Sequence, residues 1–101
     1  MLDSDLSNSH KITKNIILVN KLGLHARASA RLVSTADRFE SEVYLTRLDN
    51  QHIASAKSIM GLMMLAAPCG TKFMLSAEGP DAETAVSAVY DLISHRFGEE
   101  E

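Results

Sequence analysis

Tryptophan is absent from this 101-residue chain, and cysteine occurs once, at Cys69. One thiol excludes an intramolecular disulfide framework. The N-terminal stretch also lacks the basic and apolar pattern of a signal peptide, so a reducing, cytoplasmic location is the expectation. Cys69 itself, beside Pro68, reads as a small buried packing residue rather than a nucleophile. No apolar run approaches the 18 or so residues of a membrane span. The richest stretch, Ile59 to Ala67, is nine residues long and contains Gly61. No cluster of Lys and Arg exists either, and the formal charge is −3. Electrostatic capture of nucleic acid or of an anionic membrane is therefore not expected. With 46% hydrophobic residues, the chain has material for a single core and too little length for two.

Residues 1–11 are polar, serine-rich and aperiodic, and read as a flexible extension. Residues 12–98 form the domain, and Glu99-Glu100-Glu101 reads as a solvated acidic tail. Helical periodicity runs from Ala26 to Phe39, where Leu32, Val33, Ala36 and Phe39 share a face. It recurs from Ala82 to Phe97 through Val86, Val89 and Ile93, with Asp81 as the N-cap and Gly98 as the terminator. The segment from Ile59 to Ala67 is apolar nearly all round and is stopped by Pro68 and Gly70. Extended segments are expected at Ile16–Val19, Glu42–Thr46, His52–Ala56 and Lys72–Ser76, the middle two joined through the turn at Asp49-Asn50. The order strand, helix, strand, strand, helix, strand, helix predicts an α+β layer, with helices on one face of a mostly antiparallel sheet.

The most unusual local feature is Gly23-Leu24-His25-Ala26-Arg27, which falls where a strand has ended and a helix begins. The free backbone amides of a helix start, here those of Ala26 and Arg27, favour negative charge. Arg27 adds a guanidinium matched to phosphate oxygens. The same positive field favours a neutral imidazole with a nucleophilic lone pair. Together these make a receptor for a phosphoryl group. Spacing alone leaves a second reading open, in which His25 merely caps its helix and Arg27 is solvated. His10, His52 and His95 show no ligand spacing with Cys69 or with acids, so neither metal nor cofactor is expected. With one reactive group and no second acid or base, a stand-alone enzyme is not expected.

The run Asn20-Lys21-Leu22-Gly23-Leu24-His25-Ala26-Arg27-Ala28-Ser29-Ala30, followed by Lys57-Ser58-Ile59-Met60-Gly61-Leu62-Met63-Met64-Leu65, closely resembles HPr, the histidine-containing phosphocarrier family of the bacterial phosphoenolpyruvate-dependent phosphotransferase system. The resemblance extends from about Thr13 to Phe97. It implies an open-faced β-sandwich of order βαββαβα, with four antiparallel strands and three helices. It implies that His25 takes a phosphoryl group on Nδ1 from phosphorylated enzyme I and passes it to IIA-type proteins, with Arg27 neutralising the phosphate. Where relatives usually have proline after the arginine, this chain has Ala28, also a good helix former. Ser58 reads as an N-cap from its position, and the resemblance adds a role as target of an HPr kinase/phosphorylase. Partner docking is expected on Ala28, Ile59, Met60, Leu62 and Met63, with methionine suited to an adaptable surface. The expected state is a monomer. Two alternatives are carried: an NPr-type carrier of the nitrogen-regulatory branch, and a non-catalytic α+β regulatory or ligand-binding module.

Overall fold

The structure, a computed structural model, describes residues 11–101; the expected flexible extension lies outside them except for Lys11. Strands β1 (Lys11–Ile17), β2 (Glu42–Arg47), β3 (Ile53–Ser55) and β4 (Lys72–Glu78) alternate with helices α1 (Ala26–Ala36), α2 (Ile59–Met64) and α3 (Ala82–Ser94) in the order β1-α1-β2-β3-α2-β4-α3. The strands form one antiparallel sheet in the order β1-β4-β2-β3, so the first and last strands in sequence lie side by side. Helix α3 packs on β1, β4 and β2, and α1 packs against both α2 and α3. The expected α+β class and its element order hold.

Alternation on the strands sends Val43, Leu45, Phe73 and Leu75 into the core, where they meet Leu32 of α1, Leu62 of α2, and Val86, Val89 and Ile93 of α3. Burying each large side chain contributes about 1.5–3 kcal/mol, so this layer supplies the main favourable term. Strand β1 starts earlier than the apolar run Ile16–Val19 suggests. Its polar first half is recruited by pairing from Lys11↔Glu78 to Ile17↔Lys72, a main-chain interaction that hydropathy does not mark.

The helices end before their apolar patterns do. Helix α1 passes at Ala36 into tighter bonds, Arg38 N–H to Thr35 O (3.2 Å) and Phe39 N–H to Ala36 O (3.1 Å). Helix α2 stops before Pro68 acts, because Ala66 is left-handed (φ 50°) and Arg47 Nη1 donates to Leu65 O at 2.7 Å. Beyond α3, Arg96, Phe97 and Gly98 all have positive φ, and the chain turns back toward α1 while Phe97 stays buried. Asp81 occupies the N-cap position of α3 but makes no capping bond. Its carboxylate instead accepts from Glu40 N–H, Ser41 N–H and Ser41 Oγ, tying the end of the α1–β2 loop to the start of α3. Cys69 is exposed rather than buried, since the turn from Pro68 to Thr71 carries it at its tip.

Candidate functional site

Asn20 and Gly23 build the turn that delivers His25. Asn20 is fully buried, and its Nδ2 donates to Gly23 O at 2.7 Å while Gly23 N–H donates to Asn20 O at 3.1 Å. Gly23 has φ 72°, and a Cβ there would lie 2.5 Å from Ala67 O. That close approach lets Leu24 N–H donate to Ala67 O at 2.9 Å, pinning the loop to the segment after α2. Only glycine satisfies both the dihedral and the space.

His25 then takes the N-cap position of α1 in an extended conformation, and its side chain makes no capping bond. Its carbonyl accepts the first helical bond, from Ser29 N–H at 2.8 Å, so the amides of Ala26, Arg27 and Ala28 have no intrahelical acceptor. The reading in which His25 simply caps its helix lacks the hydrogen bond that would define it. The ring turns to the far end of the chain, with Nε2 lying 2.6 Å from Glu99 Oε2. Nδ1 makes no hydrogen bond among the described residues. With the Glu99 carboxylate ionised, Nε2 donates to it, and in the neutral form of the ring the lone pair then lies on Nδ1.

Glu99 corrects the expectation of a wholly solvated acidic tail. Its side chain is 13% exposed, and Oε1 accepts from Asn20 Nδ2 at 3.1 Å. Burial pushes its carboxyl up, but the hydrogen bonds from Asn20 and His25, with the charges of His25 and Arg27, outweigh this and hold it below the usual carboxylate range. Glu101 is tethered as well, its carbonyl accepting from Lys21 N–H at 2.6 Å and its carboxylate standing 3.2 Å from Lys21 Nζ. Spacing along the sequence gives no sign of a contact between residues 74 positions apart.

Arg27 is exposed and makes no ion pair among the described residues. It lines an open depression of about 420 Å³ with Lys21, Leu22 and the three glutamates, on the side of the molecule that holds His25. Among the described residues the arrangement therefore offers a partly exposed imidazole, unpaired amides and a guanidinium without an ion pair. That set suits a phosphoryl group, held at the surface where a second protein can take it away.

Ser58 caps α2, its Oγ accepting from Gly61 N–H at 3.0 Å. Of the residues expected to dock partners, Ile59, Met60 and Met63 are exposed, and Met64 joins them. Ala28 and Leu62 are not surface residues: both are fully buried, because each lies on the face its helix turns to the core. His52 is exposed just before β3, and His95 is exposed at the end of α3, with Nδ1 2.7 Å from Asp91 O.

Comparison with known proteins agrees with this geometry. Residues 12–95 match the family model described as the PTS HPr component phosphorylation site. The phosphocarrier protein HPr of Neisseria meningitidis serogroup A is 49% identical over 90 residues, covering 89% of this chain and 99% of that one. The phosphocarrier protein NPr of Shewanella violacea is 37% identical, covering 88% and 96%. Among solved structures, HPr from Thermoanaerobacter tengcongensis superposes with a TM-score of 0.83 at 43% identity, covering 89% of this chain and 99% of its own. The chain belongs to the HPr family of phosphocarrier proteins.

Proposed function

We propose that this chain carries a phosphoryl group on Nδ1 of His25. The group comes from phosphorylated enzyme I, charged by phosphoenolpyruvate, and goes on to IIA-type proteins. In the accepting step the Nδ1 lone pair forms the N–P bond while the bond from phosphorus to the donor breaks, its electron pair leaving with the donor. The ring keeps its Nε2 proton and becomes cationic. The amides of Ala26 and Arg27 and the Arg27 guanidinium take the phosphoryl oxygens. Transfer to the acceptor reverses these bond changes. The observation that carries this reading is the pairing of Nε2 with Glu99 Oε2 at 2.6 Å, which leaves Nδ1 as the available nucleophile at the start of α1.

The exposed apolar surface of Ile59, Met60, Met63 and Met64 on α2 suits weak docking of more than one partner. Phosphorylation of Ser58 by an HPr kinase would add about −1.5 to −2 charges beside that surface and hinder docking of an acidic partner. The greater identity to an HPr than to an NPr supports the sugar-branch reading over the nitrogen-branch one.

One incubation series tests the proposal. Phosphoenolpyruvate and enzyme I add one phosphate to the mass of the wild type and none to His25→Ala, while HPr kinase with ATP labels the wild type but not Ser58→Ala. A wild-type mass that stays unchanged with a competent enzyme I rejects the carrier; label on a residue other than Ser58 rejects the regulatory role.

A further inference from the structure

Glu99 meets the His25 ring at Nε2, away from the nitrogen that reacts, and several features hold it there. It receives two converging donors, His25 Nε2 on Oε2 at 2.6 Å and Asn20 Nδ2 on Oε1 at 3.1 Å. Asn20 is fully buried and leaves its own carbonyl oxygen without a partner among the described residues, while its amide nitrogen serves both Gly23 O and Glu99. A buried, unpaired acceptor is costly, so orienting those N–H groups matters more here than satisfying the oxygen. The chain reaches the ring through consecutive left-handed residues, Arg96 (φ 59°) and Phe97 (φ 55°), neither of them glycine. Such strain persists only where surroundings over-determine it. Here Phe97 is buried in the core and its carbonyl accepts from Arg31 Nη1.

We infer that Glu99 is a positioning residue for phosphoryl transfer, acting through His25 rather than touching the phosphoryl group; the inference rests on the carrier reading. By accepting the hydrogen bond from Nε2–H it fixes the ring's rotation and its tautomer, which leaves the lone pair on Nδ1. When the N–P bond forms and the donor bond breaks, the ring becomes cationic with Nε2–H retained, and the carboxylate then faces that new positive charge. For a neutral accepting ring, the contact is a neutral-to-charged hydrogen bond before transfer and an ion pair after it, so it favours the phosphorylated form. Two donors converging on one side chain select a carboxylate, since an amide offers only one acceptor oxygen. An acid here also sets negative charge near the phosphoryl oxygens. Its place at Nε2, across the ring from the reacting nitrogen, puts attraction to the ring at closer range than that repulsion.

The test uses the full chain as wild type, Glu99→Gln and Glu99→Ala. Long-range proton–nitrogen spectra of the imidazole are recorded, and phosphoryl acceptance from phosphorylated enzyme I is timed on the same samples. The wild type is expected to show a single Nε2–H tautomer with a slowly exchanging ring proton. Glu99→Ala should lose that slow proton and accept roughly three- to tenfold more slowly, the range of one hydrogen bond's net contribution at a partly buried site. Glu99→Gln should fall between, because one acceptor oxygen survives. Unaltered amide spectra show that neither variant has unfolded. Acceptance in Glu99→Ala equal to or faster than wild type overturns the proposal whatever the ring signals show, and leaves the carrier reading standing. A wild type that accepts nothing overturns the carrier reading and this proposal with it.

Discussion

The starts of α1 and α2 are built from similar parts and left in opposite states. Each N-cap residue is extended, His25 at one helix and Ser58 at the other. Ser58 turns its Oγ inward onto Gly61 N–H at 3.0 Å and satisfies its own helix. His25 turns its ring away onto Glu99 and leaves the first amides of α1 unpaired by any side-chain cap. A closed start stabilises; an open start is free to bind an anion. The difference lies in where the side chain finds its hydrogen bond, not in which residue types favour the position.

The α1 start stays open because a rigid turn holds it, and Gly23→Ala attacks that turn. A Cβ would be forced within 2.5 Å of Ala67 O at a residue with φ 72°. Backbone cannot yield as a flexible side chain would, so we expect a loss of about 2–4 kcal/mol in denaturant unfolding. The Leu24–Ala67 hydrogen bond should fail with it, so slower phosphoryl acceptance is expected at temperatures where the variant is still folded. A Gly23→Ala chain of unchanged midpoint would show that the turn is softer than its contacts imply.

Much of this arrangement is legible in the sequence, and the remainder is hidden for physical reasons. Local signals carry the element order, the core positions Val86, Val89 and Ile93, and the placing of His25 and Ser58 at helix starts, because periodicity and capping act within a few residues. The first half of β1 is hidden because its pairing partner, β4, lies about 60 residues away in a main-chain ladder. The docking expectation at Leu62 fails on helix rotation, which a segment apolar on nearly every side does not define, and that at Ala28 fails because Ala28 lies one turn before Leu32 on the buried face of α1. Glu99 is the largest omission. Its approach depends on left-handed Arg96 and Phe97, residue types that carry no turn signal, and on a buried asparagine whose role appears only once Asn20 and Glu99 meet.

Ser58→Ala removes the closure at α2 and leaves Gly61 N–H without its acceptor. The expected cost is about 1 kcal/mol, read as a lower midpoint in thermal or denaturant unfolding, with phosphoryl acceptance at His25 little changed. An equal loss of acceptance would mean that the two helix starts are coupled rather than separate in function.

The start of α3 gives a third arrangement and the smallest expected effect. Asp81 neither caps its helix nor leaves a vacant acidic group: it accepts from Ser41 Oγ at 2.5 Å and from the amides of Ser41 (2.9 Å) and Glu40 (3.0 Å). The Ser41 hydroxyl bond is the main influence on its carboxyl; burial opposes it, but with the two amides the balance falls below the ordinary 3.8. A carboxyl whose folded value lies below its unfolded value releases its proton more readily in the folded protein. Its contribution is therefore fully present above the unfolded value and is lost as pH falls through the folded one. Unfolding midpoints of the wild type should decline as acid is added below about pH 4, and Asp81→Asn should lie lower at neutral pH with a shallower decline. The asparagine keeps one acceptor oxygen but cannot serve three donors, so the loop at Ser41 should loosen while α3 persists. Parallel acid curves for the two proteins would mean that the carboxylate charge does not hold this junction, and that geometry at Ser41 and Gly79, where a Cβ would meet Ser41 Cα at 2.7 Å, holds it instead.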